Sequence, residues 1–286
     1  MIMELQFTSR TFLAADSSYA ESLAVIIGCP LDITSSFRPG TRFAPQAIRD
    51  VSWGLETYSP RLDRDLEDLK ICDVGDISLP QGDPEGALGI IQGYLATLMG
   101  DRKFPILLGG EHLISLAVVR ELARHHQNLA VIQLDAHADF RQDYLGDSLS
   151  HATVMRRIAD ILGGENIFQL GIRSGTREEM NSARAMGSLT EVKETLRRAA
   201  GRPVYLTVDL DILDPGVAPG VGVPEPGGLT FDECLSLISE LSSLDVQGFD
   251  VVELSPPYDP TQQSAMAAAK LIRELILQFC PDKNHP

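Results

Sequence analysis

Three residues that can bind metal ions alternate at the end of an apolar run. Asp135, His137 and Asp139 follow Leu129–Leu134, a segment too short for a typical helix. Alternate side chains of an extended backbone point to the same side, so these three groups could converge on one small volume. The same pattern also occurs on solvated loops, so the prediction of a metal site depends on ligands from elsewhere in the chain.

Two further clusters of ligand-type residues follow other apolar runs. Phe104–Leu108 runs into Gly109-Gly110-Glu111-His112, and Val204–Val208 runs into Asp209-Leu210-Asp211. His112 alone could cap the following helix, and the aspartates could form a turn, as we expect of the nearby Asp214. The occurrence of all the clusters in one chain favours metal binding instead. The candidate ligands are His112, Asp135, His137, Asp139, Asp209 and Asp211.

These four carboxylates and two imidazoles exceed what one tetrahedral zinc ion takes. They suit two divalent ions about 3.5–4 Å apart, bridged by carboxylates. Oxygen and imidazole ligands without thiolate favour Mn²⁺. Two ions that share a water would yield a hydroxide near neutral pH, which is the nucleophile of a hydrolase. The sequence therefore predicts a hydrolase with two Mn²⁺ ions per subunit.

The predicted site carries an excess of negative charge. Four aspartates and one hydroxide outweigh two dications by about one charge, and Glu253, in the apolar run Val246–Leu254, adds another. An unpaired buried carboxylate is costly, so we expect Glu253 to have a functional partner. A planar guanidinium fits a carboxylate bidentately, whereas a phosphate ester would be repelled. The predicted partner is a small cationic guanidino substrate.

The ligands must be positioned by strands and helices that alternate along the chain. Continuous apolar runs predict about eight strands, at Ser22–Gly28, Leu69–Val74, Phe104–Leu108, Leu129–Leu134, Asn166–Gly171, Gly187–Leu189, Val204–Val208 and Val246–Leu254. Apolar residues at helical spacing predict helices at Pro45–Tyr58, Pro84–Met99, Leu113–His126, Thr153–Leu162, Thr176–Met186, Glu191–Ala200, Phe231–Leu241 and Gln263–Phe279. Such strands are covered on both faces, as in a parallel sheet wrapped by helices.

All candidate ligands follow the ends of predicted strands, and open parallel sheets bind ligands outside the carboxyl ends of their strands. The loop Pro215–Gly228 comes directly after one ligand cluster. Its prolines fix the backbone, so we predict a rigid wall of the site there. Arg173 could be structural or contact another subunit. No linker or repeat divides the chain, so one domain over residues 1–286 is predicted.

Composition limits the class of protein. The 286 residues, 44% of them hydrophobic, suffice for a large core. A net charge of −16 argues against nucleic acid and suits a cationic substrate. No stretch has the roughly 18 uninterrupted apolar residues of a membrane span, and Met1–Gln6 lacks the features of a signal peptide. We therefore expect a cytoplasmic protein without membrane or nucleic-acid partners, whose four cysteines are reduced and buried.

Two more motifs complete a recognisable set. Ser150-His151-Ala152-Thr153 and Val252-Glu253-Leu254-Ser255-Pro256-Pro257 occur with the three ligand clusters in a fixed order. With this set, the sequence resembles the ureohydrolase family of arginases and agmatinases along nearly its whole length. The segment from Asp209 to Thr230 is similar to agmatinases more than to arginases. The resemblance implies a three-layer α/β/α sandwich around an eight-stranded parallel sheet, assembled as a homotrimer or homohexamer.

The resemblance also implies roles for individual residues. One Mn²⁺ would be held by His112, Asp135, Asp139 and Asp209, and the second by His137, Asp135, Asp209 and Asp211. Glu253 would bind the substrate guanidinium. Asp139 would carry a proton to the leaving amine, and His151 would exchange protons with solvent. The implied reaction is hydrolysis of agmatine to putrescine and urea.

One position bears on the choice of substrate. Arginases carry an asparagine two residues after the D-A-H-x-D motif, where it helps hold the substrate's α-carboxylate, and here that position is Arg141. This argues against arginine and leaves guanidinobutyrate and guanidinopropionate open as alternatives to agmatine. The following loop contains Asp143, Tyr144 and Asp147, of which we assign Asp143 to the distal end of the substrate.

The motifs argue against two other classes of protein. A non-catalytic metal-binding regulator would be expected to have lost a ligand, and all six are present. A di-metal phosphoesterase would need later G-N-H-[DE] and G-H-x-H motifs, which the sequence does not contain.

Overall fold

A seven-stranded parallel sheet organises the computed structural model, which describes residues 10–282. The predicted absence of a signal peptide at Met1–Gln6 therefore lies outside the described residues. The strands are β1 Ala24–Cys29, β2 Tyr58–Ser59, β3 Arg64–Asp65, β4 Ile71–Asp76, β5 Phe104–Gly109, β6 Ala130–Leu134, β7 Ile167–Leu170, β8 Pro203–Asp209 and β9 Asp245–Val252. The main sheet has the order β4-β1-β5-β9-β8-β6-β7, and β2 and β3 form a separate antiparallel pair.

Eight α-helices connect the strands of the described part of the chain. They are α1 Ala44–Ser52, α2 Pro84–Gly100, α3 Ile114–His125, α4 Val154–Leu162, α5 Arg177–Met186, α6 Val192–Ala199, α7 Phe231–Glu240 and α8 Gln263–Phe279. Capping boxes at Thr176 and Thr230 begin α5 and α7. Each threonine side chain accepts from the backbone N–H of the glutamate three residues later, and the side chain of that glutamate accepts from the backbone N–H of the threonine. All eight helices were predicted, but α1 ends at Ser52, because Tyr58 pairs with Asp65 instead.

The sheet is buried on both faces. Ile26 of β1 belongs to one apolar cluster, together with residues of α1, α7 and α8, whereas its neighbours Val25 and Ile27 belong to a second cluster with residues of α2, α3 and α4. Alternate residues of a strand point to opposite faces, so helices cover both sides. The predicted three-layer α/β/α sandwich is confirmed.

The predicted count of eight strands is wrong by one. Gly187–Leu189 is not a strand, since only Leu189 forms a single parallel bridge with Gln169. The segment leaves α5 through Gly187, which has a left-handed backbone at φ 69°, and too few residues remain to pair along β7. The prediction of one domain over residues 1–286 stays a prediction. Within residues 10–282, no helix is long and apolar enough to cross a membrane.

Four neighbouring strands end in register at the carboxyl edge of the sheet. Leu108 of β5 and Val208 of β8 both lie opposite Val251 of β9, and Leu134 of β6 lies opposite Val208. The residues just beyond this row are those the sequence proposed as ligands. The strand order therefore brings together side chains that are up to 141 positions apart in the chain.

Candidate metal centre

The imidazole of His112 lies at the centre of the first group of predicted ligands. Its Nδ1 is 3.1 Å from Asp135 Oδ2, 3.1 Å from Asp139 Oδ2 and 3.3 Å from Asp209 Oδ2. Although three oxygens surround this fully buried nitrogen, none meets it in hydrogen-bond geometry. A nitrogen and several carboxylate oxygens converging without hydrogen bonds fit a bound cation.

A second group shares Asp135 with the first. His137 Nδ1 is 2.8 Å from Asp211 Oδ2 and 3.7 Å from Asp135 Oδ1. The ligand atoms of His112, Asp135 and Asp139, and likewise those of Asp135, His137 and Asp211, lie within 4.8 Å of one another. The donor sets suit two adjacent cations, and Asp135 belongs to both sets.

Asp209 contacts the imidazole of the first group, but only a backbone N–H of the second. Its Oδ2 faces His112, whereas its Oδ1 accepts a hydrogen bond from the backbone N–H of Asp211 at 2.9 Å. The predicted bridging role of Asp209 therefore stays a prediction.

Two of the site's carboxylates stand on left-handed backbone. Asp139 has φ 50° and Glu253 has φ 65°. Such conformations cost roughly 1–3 kcal/mol for a non-glycine residue and persist where the surroundings hold them. Here the Asp139 carbonyl accepts from the N–H of Met155 at the start of α4, and the Glu253 N–H donates to the Gly110 carbonyl, both at 3.0 Å. With these backbone conformations, both side chains line the cavity of the site.

Burial and mutual repulsion perturb the acidic groups strongly. Burial raises the pKa of Asp135 to about 7, with Asp211 and Asp139 adding to the shift. Burial also raises the pKa of Glu253 to about 8, and that of Asp209 well above its ordinary value. For His137, burial lowers the pKa, but the carboxylates of Asp211, Asp135 and Asp139 outweigh it and raise the pKa to about 10. A cluster with this much unbalanced negative charge is one that cations would stabilise.

Three polar residues inside the apolar strands orient the ligands, and the sequence analysis missed them. The Thr207 hydroxyl lies 2.9 Å from His112 Nε2 and donates to Asp250 Oδ1 at 2.5 Å. Since its hydrogen goes to Asp250, Thr207 accepts from Nε2–H, so Nδ1 is the nitrogen of His112 that faces the carboxylates. Gln133 donates to Asp135 Oδ2 at 2.5 Å. A polar residue within an otherwise apolar strand was the signal that could have identified all three.

The predicted ligands open onto a cavity of about 350 Å³. Glu253 lines it, and its Oε1 accepts from the backbone N–H of His112 at 2.7 Å, which fixes the carboxylate beside the predicted ligands. The cavity is lined by Ser36, His137, Asp139, Arg141, Tyr144, His151, Ala152, Ser174, Gly175, Thr176, Glu179, Asp209, Asp211, Val223 and Glu253. Carboxylates predominate over cations among these residues, which favours a cationic guest.

Of the two residues predicted to contact the distal end of the substrate, one lines the cavity and the other does not. Arg141 lines the cavity, but its guanidinium is 3.5 Å from Glu179 Oε2 and stacks 4.8 Å from the ring centre of Tyr144. Asp143 is not brought to this cavity: it lines a neighbouring depression and accepts from the backbone N–H of Gly146 at 3.3 Å. A tight turn between Tyr144 and Asp147 follows Asp143 directly.

His151 stands at the wall of the cavity. Its Nδ1 is 3.1 Å from the Thr34 hydroxyl, its Nε2 is 3.4 Å from the Ser36 hydroxyl, and its ring meets that of Tyr144 edge-on at 5.7 Å. Burial lowers the pKa of His151 below its ordinary value, against the opposing effect of Asp139. A neutral imidazole at neutral pH can both accept and release a proton.

Hydrogen bonds from Arg173 and to Asp214 hold the loop 215–228 in place. Arg173 donates to the carbonyls of Asp211 at 2.6 Å and Glu225 at 2.7 Å, which makes it a structural residue within this chain. The carboxylate of Asp214 accepts from the backbone N–H groups of Gly216 and Gly227, which confirms its expected turn-forming role. With both ends held, the loop places Val223 in the cavity wall.

A parallel sheet whose central strands end in a buried cluster of imidazoles and carboxylates is typical of α/β enzymes that carry a metal centre at the strand ends. The family model of the arginase family matches residues 22–278. The chain belongs to this family, and it is an agmatinase-like amidinohydrolase.

Individual relatives cover nearly the whole chain. An agmatinase of Bacillus subtilis (strain 168) is 44% identical over 282 residues, which are 96% of this chain and 97% of the relative. The crystal structure of agmatine ureohydrolase of Thermoplasma volcanium has a TM-score of 0.86 at 36% identity, covering 95% of this chain and 94% of that one. A guanidinobutyrase of Pseudomonas aeruginosa is 34% identical over 88% of this chain and 85% of the relative.

Proposed function

We propose that this protein hydrolyses the guanidino group of agmatine to putrescine and urea at a centre of two Mn²⁺ ions. The observation that carries the proposal is the pair of ligand groups that share Asp135 beside an acidic cavity. The similarity to agmatinases over nearly the full chain supports the choice of substrate. One ion would be held by His112, Asp135, Asp139 and Asp209, and the other by His137, Asp135, Asp209 and Asp211.

The two ions would supply a hydroxide near neutral pH and positive charge for the oxygen that develops in the reaction. Glu253 would bind the substrate guanidinium bidentately, which its fixed carboxylate in the cavity lining favours. Asp139 would take the proton lost by the nucleophile and pass it to the leaving amine. His151, at the cavity wall and neutral, would exchange that proton with solvent.

The distal end of the substrate would lie towards Arg141, Tyr144 and Glu179. The contact between Arg141 and Glu179 offsets the positive charge of the guanidinium, so a distal ammonium need not be repelled. The ring of Tyr144 offers a face to such a cation. The predicted role of Asp143 at this end is not part of the proposal, because Asp143 lines a different depression.

A second candidate function is hydrolysis of a guanidino acid such as guanidinobutyrate. Arg141 in the cavity wall could pair with a substrate carboxylate if its contact with Glu179, which is 3.5 Å long, opened. The similarity to a guanidinobutyrase favours this candidate over guanidinopropionate or arginine.

A substrate panel on metal-defined protein tests these proposals. The protein is dialysed against chelator, Mn²⁺ is added back, and urea release is measured from agmatine, guanidinobutyrate, guanidinopropionate and arginine. We expect agmatine to be preferred and activity to depend on added Mn²⁺. Preference for guanidinobutyrate would identify the second candidate. Absence of urea from every compound at full metal occupancy would favour a non-catalytic metal-binding regulator.

We further propose that the protein acts in the cytoplasm, and that it assembles as a homotrimer or homohexamer, as the resemblance to ureohydrolases implies. Light scattering on the purified Mn²⁺-loaded protein measures the subunit number directly. A monomer at micromolar concentration would contradict the proposed assembly.

A further inference from the structure

Glu111 is fully buried beside the predicted ligand His112, and the proposed reaction does not use it. Its carboxylate accepts three hydrogen bonds from one short segment of chain. Oε2 accepts from the backbone N–H groups of Ile33 and Thr34, each at 2.8 Å, and Oε1 accepts from the Thr34 hydroxyl at 2.9 Å. A carboxylate with this many donors is held in one orientation.

Gly110 allows the segment around Thr34 to approach so closely. A Cβ atom at Gly110 would lie 2.2 Å from the carbonyl oxygen of Leu31, a distance that no side chain tolerates. The Glu111 N–H donates to that same carbonyl at 2.8 Å. The end of β5 and the segment 31–34 therefore form one hydrogen-bonded unit.

The Thr34 hydroxyl stands between Glu111 and His151. Its oxygen is 3.1 Å from His151 Nδ1 and accepts the backbone N–H of His151 at 3.0 Å. A hydroxyl has one hydrogen and two lone pairs. The hydrogen goes to Glu111 and one lone pair to the backbone N–H, so the remaining lone pair faces Nδ1. His151 must therefore carry its hydrogen on Nδ1.

Ser150 is the other hydroxyl near this nitrogen. Its Oγ is 3.3 Å from Nδ1 and also accepts the backbone N–H of Ala152 at 3.4 Å. If Ser150 donated to Nδ1 instead, the lone pairs of Nδ1 and Thr34 would face each other at 3.1 Å and repel. The shorter contact with Thr34 decides the tautomer, and Ser150 accepts a share of the same hydrogen.

We propose that Glu111 and Thr34 are positioning residues that fix His151 as its Nδ1–H tautomer and leave Nε2 as the basic nitrogen on the cavity side. Ser36, whose hydroxyl is 3.4 Å from Nε2, lines the cavity with His151. A histidine of the opposite tautomer would turn its lone pair to Thr34 and could not take a proton from the cavity. The use of Nε2 rests on the proposed function, whereas the tautomer itself does not.

The tautomer is measured from the ¹⁵N chemical shifts of labelled histidine rings, in protein loaded with the diamagnetic ion Mg²⁺. We expect the wild-type His151 to show a protonated Nδ1 and an unprotonated Nε2. Glu111→Gln places an amide N–H₂ donor opposite Thr34 while its carbonyl still accepts from the backbone. The Thr34 hydrogen then turns to Nδ1, and the ring shifts to the Nε2–H form.

Thr34→Val keeps the inference testable if Glu111→Gln does not fold. Valine has the shape of threonine without the hydroxyl, so we expect a mixture of tautomers, whereas Thr34→Ser should retain the wild-type form. Thr97→Val, on the exposed face of α2, is the matched control. In urea-release assays, Glu111→Gln and Thr34→Val should lower kcat roughly ten-fold with KM and metal content little changed. Thr34→Ser and Thr97→Val should stay near wild type.

The spectra separate failure of this inference from failure of the proposed function. A wild-type ring in the Nε2–H form, or wild-type spectra in both Glu111→Gln and Thr34→Val, would overturn the inference whatever the activity. If the tautomers change as expected but no guanidino compound is hydrolysed, the positioning role stands and the proposed function falls.

Discussion

Replacing Thr207 by valine should weaken metal binding without removing any ligand. The hydroxyl accepts from His112 Nε2 at 2.9 Å and donates to Asp250 at 2.5 Å. In the metal-bound variant, Nδ1 would still have to be free, so the proton would stay on Nε2 with no acceptor. In the metal-free variant, the proton could move to Nδ1, where the negative charge of three carboxylate oxygens 3.1–3.3 Å away would stabilise it. The penalty therefore falls on the metal-bound form.

The size of the effect follows from the buried donor. An unsatisfied buried N–H costs roughly 1–3 kcal/mol, and each 1.4 kcal/mol is about ten-fold in a dissociation constant. We expect the Kd for Mn²⁺ at the His112 position to rise about 10–100-fold, which is the range usual for partners of metal-binding histidines. Asp250 keeps the hydroxyl donors Ser115 and Tyr205, so the fold should survive the change.

The assay is titration of chelator-treated protein with Mn²⁺, with free Mn²⁺ followed by electron paramagnetic resonance. Thr207→Ser is the matched control, since it retains the hydroxyl, and its Kd should lie within a few-fold of wild type. A folded Thr207→Val protein with the wild-type Kd would refute the argument that Thr207 fixes the tautomer of His112.

Three further changes test other parts of the site. Glu253→Gln should keep both metal positions filled but lower kcat/KM for agmatine roughly 30-fold or more, because a charged partner of the guanidinium is lost. A variant with full metal content and the kcat/KM of wild type would contradict the assigned role of Glu253. Gly110→Ala should lower the free energy of unfolding by roughly 1–3 kcal/mol, because its methyl group would meet the Leu31 carbonyl; a urea midpoint equal to wild type would argue against that close approach. In metal-free protein, the unfolding free energy should fall between pH 7 and pH 9. The pKa of His137 is raised to about 10 and that of Glu253 to about 8, so the folded state binds more protons than the unfolded state over this interval. Saturating Mn²⁺ should reduce this slope, and urea denaturation at both pH values, with and without the ion, would show whether it does.

The strands, and the grouping of the candidate ligands at their ends, could be predicted because both depend on local pattern. Asp135, His137 and Asp139 alternate with alanines directly after an apolar run, and a short apolar run bounded by polar residues is typical of a buried strand. The rule that parallel sheets bind ligands at their carboxyl edge then placed the ligand clusters together. The false eighth strand at Gly187–Leu189 arose where only a few residues carried the pattern, and a pattern that short does not separate one bridge from a strand.

Proton positions and loop directions were decided by the tertiary structure. The nitrogen of His112 that faces the carboxylates depends on Thr207 and Asp250, which belong to two other strands and meet it only through the strand order. In the same way, the course of its loop places Asp143 in the lining of a neighbouring depression and not in that of the cavity. Sequence spacing determines which residues share a face of one strand. Contacts between strands depend on register and order, which no single segment contains.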